Sequence, residues 1–184
     1  MGDGASSAMI DTTAFKTTMR QLASGVFVLT TRLDERPHAT TATAFLPLSA
    51  EPPLVLVCVQ RDSDTHRALG QVPRFGVNML SSSQAALSRR FAGKTSERYR
   101  FDDIARFEGP HRCVFFRDSV AHIEVEIEST TAGGDHTIFI GRVLWLQANA
   151  ELAPLVYHRG SHHVLQPLEA LEALELAGQT RLAG

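Results

Sequence analysis

The segment HIEVEIESTTAGGDHTIFIGRVLWLQ, residues 122–147, decides the fold of this 184-residue chain. Aliphatic and polar residues alternate strictly over its first eight positions, which predicts a half-solvated β-strand. The buried face would carry Ile123, Val125 and Ile127, and the solvent face Glu124, Glu126 and Glu128. The run after the turn, TIFIGRVLWLQ, is apolar on both faces, so we expect a core to cover one side and a second subunit the other. The glycines between the runs provide the positive φ of a tight turn, and the segment predicts a long hairpin.

Asp135 and His136 occupy the corner of this hairpin, where the chain enters the second strand. A tight turn requires the glycines but neither a carboxylate nor an imidazole at these positions. Asp is a common turn residue and a strand-end histidine commonly bonds to backbone, so the pair has an ordinary structural interpretation. The alternative is that the two side chains belong to a site.

Further strands are predicted by runs rich in β-branched and aromatic residues. They are VFVLTTRL at 26–33, HATTATAF at 38–45, PLVLVCVQ at 53–60 and RFGVNML at 74–80, with a turn at DERP, 34–37. Strands dominate and no internal repeat is visible, so the class is mainly β, or α+β, in one domain. Residues 1–13 are expected to be a loose tail, 14–166 the domain, and 167–184 a C-terminal helix and tail.

Helices are predicted between and around these strands. The first, over residues 11–25, places Phe15, Met19 and Leu22 on one face, with Asp11, Thr12 or Thr13 as its cap and Gly25 at its end. Short helices follow in DTHRALGQV, 64–72, and in SSQAALSRRFAG, 82–93, where Ser82 or Ser83 caps and Gly93 ends the helix. The segment PLEALEALELAG, 167–178, predicts the terminal helix.

Composition excludes several classes of partner. Lys and Arg total 18 against 20 Asp and Glu, so no large field of one sign indicates nucleic acid or an anionic membrane. Cys58 and Cys113 lie in apolar runs, which predicts buried thiols, and with no signal-like N-terminus or span of about twenty apolar residues we expect a cytoplasmic protein.

Few motifs for chemistry are present. No Gly-rich phosphate loop precedes a helix, and no serine or cysteine sits in a recognisable nucleophile motif. His158, His162 and His163 are close in sequence, but no carboxylate or thiolate accompanies them, so we predict no metal site. Hydroxyl-rich stretches at strand ends remain, in TTATAF and QRDSDTH, where short side chains let a phosphate or a flat ring approach the backbone.

The order of these motifs resembles one family, the short flavin reductases of two-component flavin-dependent monooxygenases, which have the FMN-binding split-barrel fold. The resemblance covers roughly residues 14 to 165. It rests on FKTTMRQLASGVFVLTT, TATAF to LSAEPPLVLVCVQRDSDTH, FGVNMLSSSQ, RRFAG, GGDHTIFIGRV and PLVYHRG, in this order.

The resemblance implies a homodimer of split β-barrels that uses NADH or NADPH to reduce FMN or FAD for a separate monooxygenase. By position, it implies flavin contacts at Thr41, Ala42, Thr43, Ala44, Phe45, Ser49, Cys58, Val59 and Gln60, and further cofactor contacts at Phe91 and Tyr157. It implies phosphate contacts at Ser63, Thr65 and one of Arg89 and Arg90, and nicotinamide contacts at Gly134, Asp135 and His136. Asp135 would orient the imidazole of His136, which would help to place the nicotinamide beside the flavin.

The chain departs from the family where flavin contact is expected. Family members commonly read Thr-Ala-Asn-Ser-Phe followed by Ser-x-Ser, whereas Thr43, Ala44, Pro47 and Ser49 stand here. Each missing hydrogen bond is worth about 0.5 to 1.5 kcal/mol, so flavin is expected to bind about ten- to a hundredfold more weakly. Two alternatives stay open, a flavin carrier or sensor of the same fold and an oxidase of the pyridoxamine-phosphate type, although the Gly-Asp-His corner argues against the oxidase.

Overall fold

The computed structural model describes residues 10–34, 36–92 and 101–169 of the chain. Strands prevail in this part, which confirms the mainly β class. The strands are β1 Ser24–Gly25, β2 Phe27–Leu33, β3 Arg36–Ala42, β4 Phe45–Ala50, β5 Pro53–Gln60, β6 Arg74–Met79, β7 Arg106–Glu108, β8 Val114–Phe116, β9 Ala121–Gly133, β10 His136–Ala148, β11 Leu155–His158 and β12 Ser161–Val164. The helices are α1 Thr12–Met19, α2 Asp64–Leu69 and α3 Ala85–Ala92, with a 3₁₀ turn over Ser82–Gln84 before α3.

Seven antiparallel strands form the main sheet in the order β3-β2-β6-β9-β10-β5-β4. Its two edge strands, β3 and β4, are consecutive in the chain and only Thr43 and Ala44 lie between them. Across a flat sheet of this width the edges would be roughly 29 Å apart, whereas two linking residues span at most roughly 11 Å. The sheet therefore curls until its edges approach each other at Thr43 and Ala44. The sequence had predicted one strand through this point, and the structure instead has a break there.

Alternation along three neighbouring strands separates the inside of the curled sheet from its outside. Phe45, Val57 and Phe139 are cross-strand neighbours and all three are buried. The next row lies one residue further along on each strand and consists of Leu46, Leu56 and Ile140. Leu46 is 58% exposed and the other two are half-buried. The inner row belongs to the main core, and the outer row leaves an apolar stripe on the surface.

Helix ends differ from the predicted ones in two places. Asp11 caps α1 by accepting a hydrogen bond from the Ala14 N–H, but the helix ends at Met19 and Gly25 pairs with Val156 in a strand. The cap before α3 is Ser81, one residue ahead of the predicted Ser82 or Ser83, because the Gln84 side chain accepts from the Ser81 N–H. The predicted end of this helix at Gly93 lies outside the described residues.

Glu124 contradicts the predicted solvent face of the first hairpin strand. Its side chain is fully buried, because the β7–β8 hairpin folds over that face of the sheet. Its carboxylate accepts hydrogen bonds from the backbone N–H groups of His111 and Cys113. Burial, reinforced by this carboxylate, raises the pKa of the Cys113 thiol to about 12. Glu126 and Glu128 lie nearer the surface, paired with Arg74 and Arg142.

A second core lies between α3 and the β8 region. Phe91 stacks on Phe116 with ring centroids 5.3 Å apart, and Phe101 packs against both rings. Among the described residues, no helix is long and apolar enough to cross a membrane. Most of the predicted tail at 1–13 and of the predicted helix at 167–184 lies outside the described residues, although α1 begins at Thr12, inside the predicted tail.

Candidate functional site

The hairpin corner is built by Gly134, Asp135 and His136. Gly134 has a φ of +64°, whereas the φ of Asp135 is not positive. This combination is the pattern of a type II′ turn. The Asp135 Oδ1 lies 2.7 Å from the Nδ1 of His136. A carboxylate can only accept, so Nδ1 carries the proton of this bond, and in the neutral imidazole Nε2 is then the acceptor. This hydrogen bond, together with the charge of the imidazole, holds the pKa of Asp135 below its ordinary value.

Three contacts fix the corner against the end of β5 and against α2. The Arg61 N–H donates to the Asp135 carbonyl at 3.0 Å, and His136 is the cross-strand neighbour of Gln60. The Nε2 of His66, on α2, lies 2.9 Å from the Thr137 hydroxyl. The chain neighbours of His136, Asp135 and Thr137, are therefore both held by hydrogen bonds. This limits the positions that the imidazole can adopt.

A cleft of about 350 Å³ opens beside this corner, at the point where the two sheet edges meet. Its lining brings together nine of the predicted site residues: Thr41, Ala42, Thr43, Ala44, Cys58, Val59, Gln60, Ser63 and His136. Leu29, Thr40 and Ala92 complete the lining and were not predicted, although Thr40 belongs to the same hydroxyl-rich run. Cys58 is half-buried, so the prediction of a buried thiol is wrong for this residue, while it is confirmed for Cys113.

Several predicted contacts lie away from this lining. Phe45 and Phe91 are buried in the two cores, and the Thr65 side chain is buried on α2. Ser49 lies beyond a bulge in β4, paired with Leu54 on β5. Gly134 stands in the turn next to the cleft, and Arg90 instead pairs with Asp103 at 3.3 Å.

Ser63 is the N-cap of α2 and lies at the wall of the cleft. Its hydroxyl accepts from the His66 N–H at 3.1 Å and donates to the Gln60 carbonyl at 2.7 Å. The hydroxyl proton is thus already bound to a backbone carbonyl. An anion at this wall would instead be bound by the backbone N–H groups at the start of α2 that have no partner within the helix. On the opposite wall, the Thr41 hydroxyl donates to the Ser88 carbonyl at 2.7 Å and holds α3 against β3.

Two further clefts adjoin the first. One of about 570 Å³ shares Thr41 and Ala92 with it and contains Arg89, Tyr157 and His162. The His162 Nε2 lies 3.0 Å from the Ser88 hydroxyl, and burial, together with the charges of Arg89 and His163, holds the pKa of His162 below its ordinary value. The other, of about 530 Å³, shares Thr43 and Ala44 and runs along α1.

The residues of the first cleft fit a flat heteroaromatic ring. Ala42, Thr43 and Ala44 present short side chains beside a β5 wall that exposes Cys58 and Gln60, so a planar group can approach the backbone of either edge strand. Among the described residues that line the cleft, none is a carboxylate, a lysine or an arginine. Within residues 10–34, 36–92 and 101–169, no three His, Cys, Asp or Glu side chains are placed to hold a metal ion.

Comparison with known proteins finds a family model, the flavin reductase like domain, that matches residues 19–166. The reductase subunit of a flavin-dependent monooxygenase from Rhodococcus jostii is 35% identical over 173 residues, which is 94% of this chain and 88% of that protein. A flavin reductase (NADH) from Kitasatospora aureofaciens is 36% identical over 158 residues, covering 84% of this chain and 82% of that protein.

Among solved structures, the NADH:FAD oxidoreductase SgcE6 of Streptomyces globisporus, in complex with NAD and FAD fragments, superposes with a TM-score of 0.81 at 30% identity. The match covers 86% of this chain and 94% of that one.

Proposed function

The chain belongs to the family of flavin reductase like domains, and on this premise we propose which of its residues carry the reaction. The protein is an NAD(P)H-dependent flavin reductase that supplies reduced FMN or FAD to a partner monooxygenase. A flavin bound in the cleft between the sheet edges would accept a hydride from the nicotinamide. The protein has to hold the two rings together and exclude water, and it needs no strong base or metal for this step.

The pairing of Asp135 with His136 is the observation that carries the assignment of the nicotinamide side. Asp135 fixes the tautomer and the orientation of His136, whose ring lines the same cleft as the Thr41–Ala44 and Cys58–Gln60 walls. The available Nε2 can accept a hydrogen bond from the carboxamide of the nicotinamide. His136 is therefore proposed as the residue that places the donor ring, with Asp135 as its positioning residue.

The walls of the cleft are proposed to hold the flavin. Ala42 to Ala44 would lie along one edge of the ring system, Cys58 to Gln60 would contact the ring and the ribityl chain, and the N-terminus of α2 at Ser63 would receive the phosphate. Thr43 and Ala44 offer fewer polar contacts than an amide and a hydroxyl would. We therefore propose that flavin exchanges as a substrate and is not retained as a tight cofactor.

Oxidation of NADH in the presence of added FMN or FAD tests the assignment. The absorbance at 340 nm should fall steadily over many turnovers with either or both flavins, and it should not fall without flavin. A protein that binds FMN but consumes no NADH or NADPH would be a carrier of flavin, which would contradict this function.

We also propose that two chains associate and that the curled sheet is a split barrel. The outer row of Leu46, Leu56 and Ile140, with Leu48 46% exposed beside it, is an apolar stripe of the kind that a partner surface covers in folded proteins. The short link of only Thr43 and Ala44 between the two edge strands of the sheet supports the split barrel. Both cysteines are free thiols, which fits a reducing compartment, and we place the protein in the cytoplasm.

A further inference from the structure

A separate cleft of about 400 Å³ lies at the end of the β9–β10 hairpin that is opposite the His136 corner. Its walls come from β7, the β8–β9 loop and the paired ends of β9 and β10. At about 3.3 Å per residue, His136 and Gln147 are roughly 35 Å apart along β10. The described lining shares no residue with the flavin cleft or with the apolar row proposed for the contact between chains.

His122 presents an unbonded nitrogen to this cleft. The side chain is only 7% exposed, and its Nε2 lies 2.8 Å from the Phe116 carbonyl. A carbonyl can only accept, so Nε2 carries the proton and Nδ1 is the acceptor of the neutral imidazole. Burial holds the pKa of His122 below its ordinary value, which keeps the ring neutral at neutral pH. No described residue bonds to Nδ1, which is not sealed among protein atoms, so a donor has to come from the cleft.

Two side-chain amides stand beside this acceptor. Gln147 is the cross-strand neighbour of His122, so the two side chains lie on one face of the hairpin with their Cβ atoms about 4.5 to 5.5 Å apart. The Asn149 Oδ1 accepts from the Glu151 N–H at 3.0 Å, which leaves the NH₂ group of this amide as a donor. The cleft therefore combines one buried acceptor with amide donors next to it.

Phe107 forms a flat wall next to the imidazole. The two ring centroids are 5.0 Å apart with the planes at 82°, and the Arg117 guanidinium lies 5.7 Å from the Phe107 centroid. Aromatic rings and guanidinium groups both pack against flat heterocycles. Arg117 and Asp118 bring one charge of each sign to the lining, so the cleft is complementary to a neutral polar ring.

The loop that carries Arg117 is held in place by hydrogen bonds within the protein. The Arg117 N–H donates to the Ala105 carbonyl at 2.9 Å, and the Gln84 Nε2 donates to the Arg117 carbonyl at 2.7 Å. The buried Ser119 hydroxyl donates to the Gln84 Oε1 at 3.1 Å. A wall that is formed in advance loses little conformational freedom when a ligand binds.

We propose that this cleft binds a cyclic imide, a flat ring in which one N–H stands between two carbonyl groups. The N–H would donate to the His122 Nδ1, and the ring would pack against Phe107. The two carbonyls would accept from the amides of Gln147 and Asn149. Uracil-type nucleobases carry this edge, and the pyrimidine ring of an oxidised flavin carries it too. The site is independent of the proposed function, because it uses none of the residues assigned to the reaction.

Uracil and 1,3-dimethyluracil are matched probes for this site. Methylation removes the N–H donors and keeps both carbonyls and the flat ring. Uracil should shift the nitrogen resonance of the His122 Nδ1 in isotope-labelled protein, because this atom accepts the new hydrogen bond. Dimethyluracil should bind about tenfold more weakly and leave that resonance unchanged, since it would enclose Nδ1 without a donor.

Two variants test the assigned contacts. Gln147→Leu removes one donor at an exposed position, so the fold should be kept and the Kd for uracil should rise about three- to tenfold. Gln71→Leu replaces an exposed glutamine outside the cleft and should keep the parental Kd. His122→Phe keeps a ring beside Phe107 and should abolish binding of uracil. Should this variant fail to fold, the two probes on the parent and on Gln147→Leu decide the question.

Titration with riboflavin and uridine identifies the source of the imide. If riboflavin fills a second site on each chain and Gln147→Leu removes that site alone, the ligand is a flavin. If riboflavin fills a single site and uridine displaces uracil, the ligand is a nucleobase or a nucleoside. Either result supports recognition of an imide by this cleft.

Two results would overturn the proposal. Equal affinity of the parent for uracil and dimethyluracil would show that a ring packs in the cleft without recognition of its N–H. An unchanged Nδ1 resonance at millimolar uracil would show that water alone satisfies this nitrogen.

Discussion

The Nε2 of His66 lies 2.9 Å from the hydroxyl of Thr137, which is the residue next to His136. His66 also packs against Phe139 with ring centroids 5.7 Å apart, and its N–H is bound by the Ser63 cap. One residue of α2 thus contacts both the wall proposed for the flavin phosphate and the strand that carries His136. The position of the imidazole depends on α2 as well as on its own hairpin.

Replacement of His66 by phenylalanine should slow the reaction without weakening the binding of flavin. The ring contact with Phe139 is kept and the hydrogen bond, worth about 0.5 to 1.5 kcal/mol, is lost. We expect anaerobic flavin reduction to fall about three- to tenfold, with the Kd for FMN within about threefold of the parent. Thr137→Val removes the same bond from the other side, so the double variant should be no slower than either single one. Additive losses would show that the two residues act independently.

Replacement of Ser63 by alanine should weaken FMN and leave riboflavin unaffected. The change removes the cap of α2, so about 1 kcal/mol of stability should be lost in every case. If the N–H groups at the start of α2 bind the phosphate, loss of the cap should leave them less well ordered, so the Kd for FMN should rise about tenfold. The kcat should be kept, because the contact is the same in the ground and transition states. Fluorescence titration with both flavins measures this, and riboflavin, which lacks the phosphate, is the control. Equal weakening of both flavins would place the phosphate elsewhere.

Two chains are expected to associate through the outer row that contains Ile140. A charge at this position would have to be buried without a partner, so Ile140→Lys should dissociate the dimer at micromolar concentration. Gln71→Lys, an exposed position after α2, should keep the dimer. Sedimentation velocity measures both. A parent protein that sediments as a stable monomer would contradict the association and leave the apolar row unexplained.

Acid should destabilise the protein partly through His122. This side chain is buried, its Nε2 lies 2.8 Å from the Phe116 carbonyl, and burial holds the pKa of His122 below its ordinary value. The unfolded chain therefore binds more protons at this residue than the folded chain does. The contribution of neutral His122 to the free energy of unfolding is thus fully present above about pH 6.5, the ordinary pKa of histidine, and is lost as the pH falls below it. Urea denaturation from pH 7.5 to 5 should show a shallower decline for His122→Gln than for the parent. Parallel curves would assign the decline to other groups.

The strands could be predicted because their signal is local. Phe139, Val57 and Phe45 belong to runs whose β-branched and aromatic content needs no knowledge of the neighbours. Glu124 could not be predicted, since an alternating strand normally places its charges in water and only the β7–β8 hairpin, which covers it, reverses this. For the same reason the apolar run around Cys58 predicts a buried thiol, and only the family resemblance implies that this residue lies at the flavin site while Cys113 does not.

The site was predictable where its residues follow one another in the chain and not where they meet in space. Thr41 to Ala44 and Cys58 to Gln60, which the resemblance names as flavin contacts, line one cleft, and each is a continuous stretch at a strand end. Arg20 and Arg159 are far apart in sequence, yet they line one cleft and the Arg159 N–H donates to the Arg20 carbonyl. Phe91 shows the opposite case, a motif residue whose side chain packs into a core.

The hairpin corner provides the most direct test of the mechanism. If His136 places the nicotinamide, His136→Ala should leave the Kd for FMN within about threefold and lower the rate of hydride transfer at least tenfold, a loss of about 1.4 kcal/mol of transition-state stabilisation. Asp135→Asn keeps the turn and its backbone contact with Arg61 but weakens the bond that orients the ring, so its effect should be smaller.

Stopped-flow measurement of flavin bleaching without oxygen follows this step directly, and it separates placement of the ring from stability of the turn. A purely structural corner would lower the melting temperature in both variants and leave the bleaching rate unchanged. Asp135 is 82% exposed and His136 42% exposed, so little packing energy is lost by either change and a large fall in rate could not be attributed to unfolding. A parental rate for His136→Ala under saturating NADH would move the nicotinamide ring to the neighbouring surface of Tyr157, His158 and Arg159.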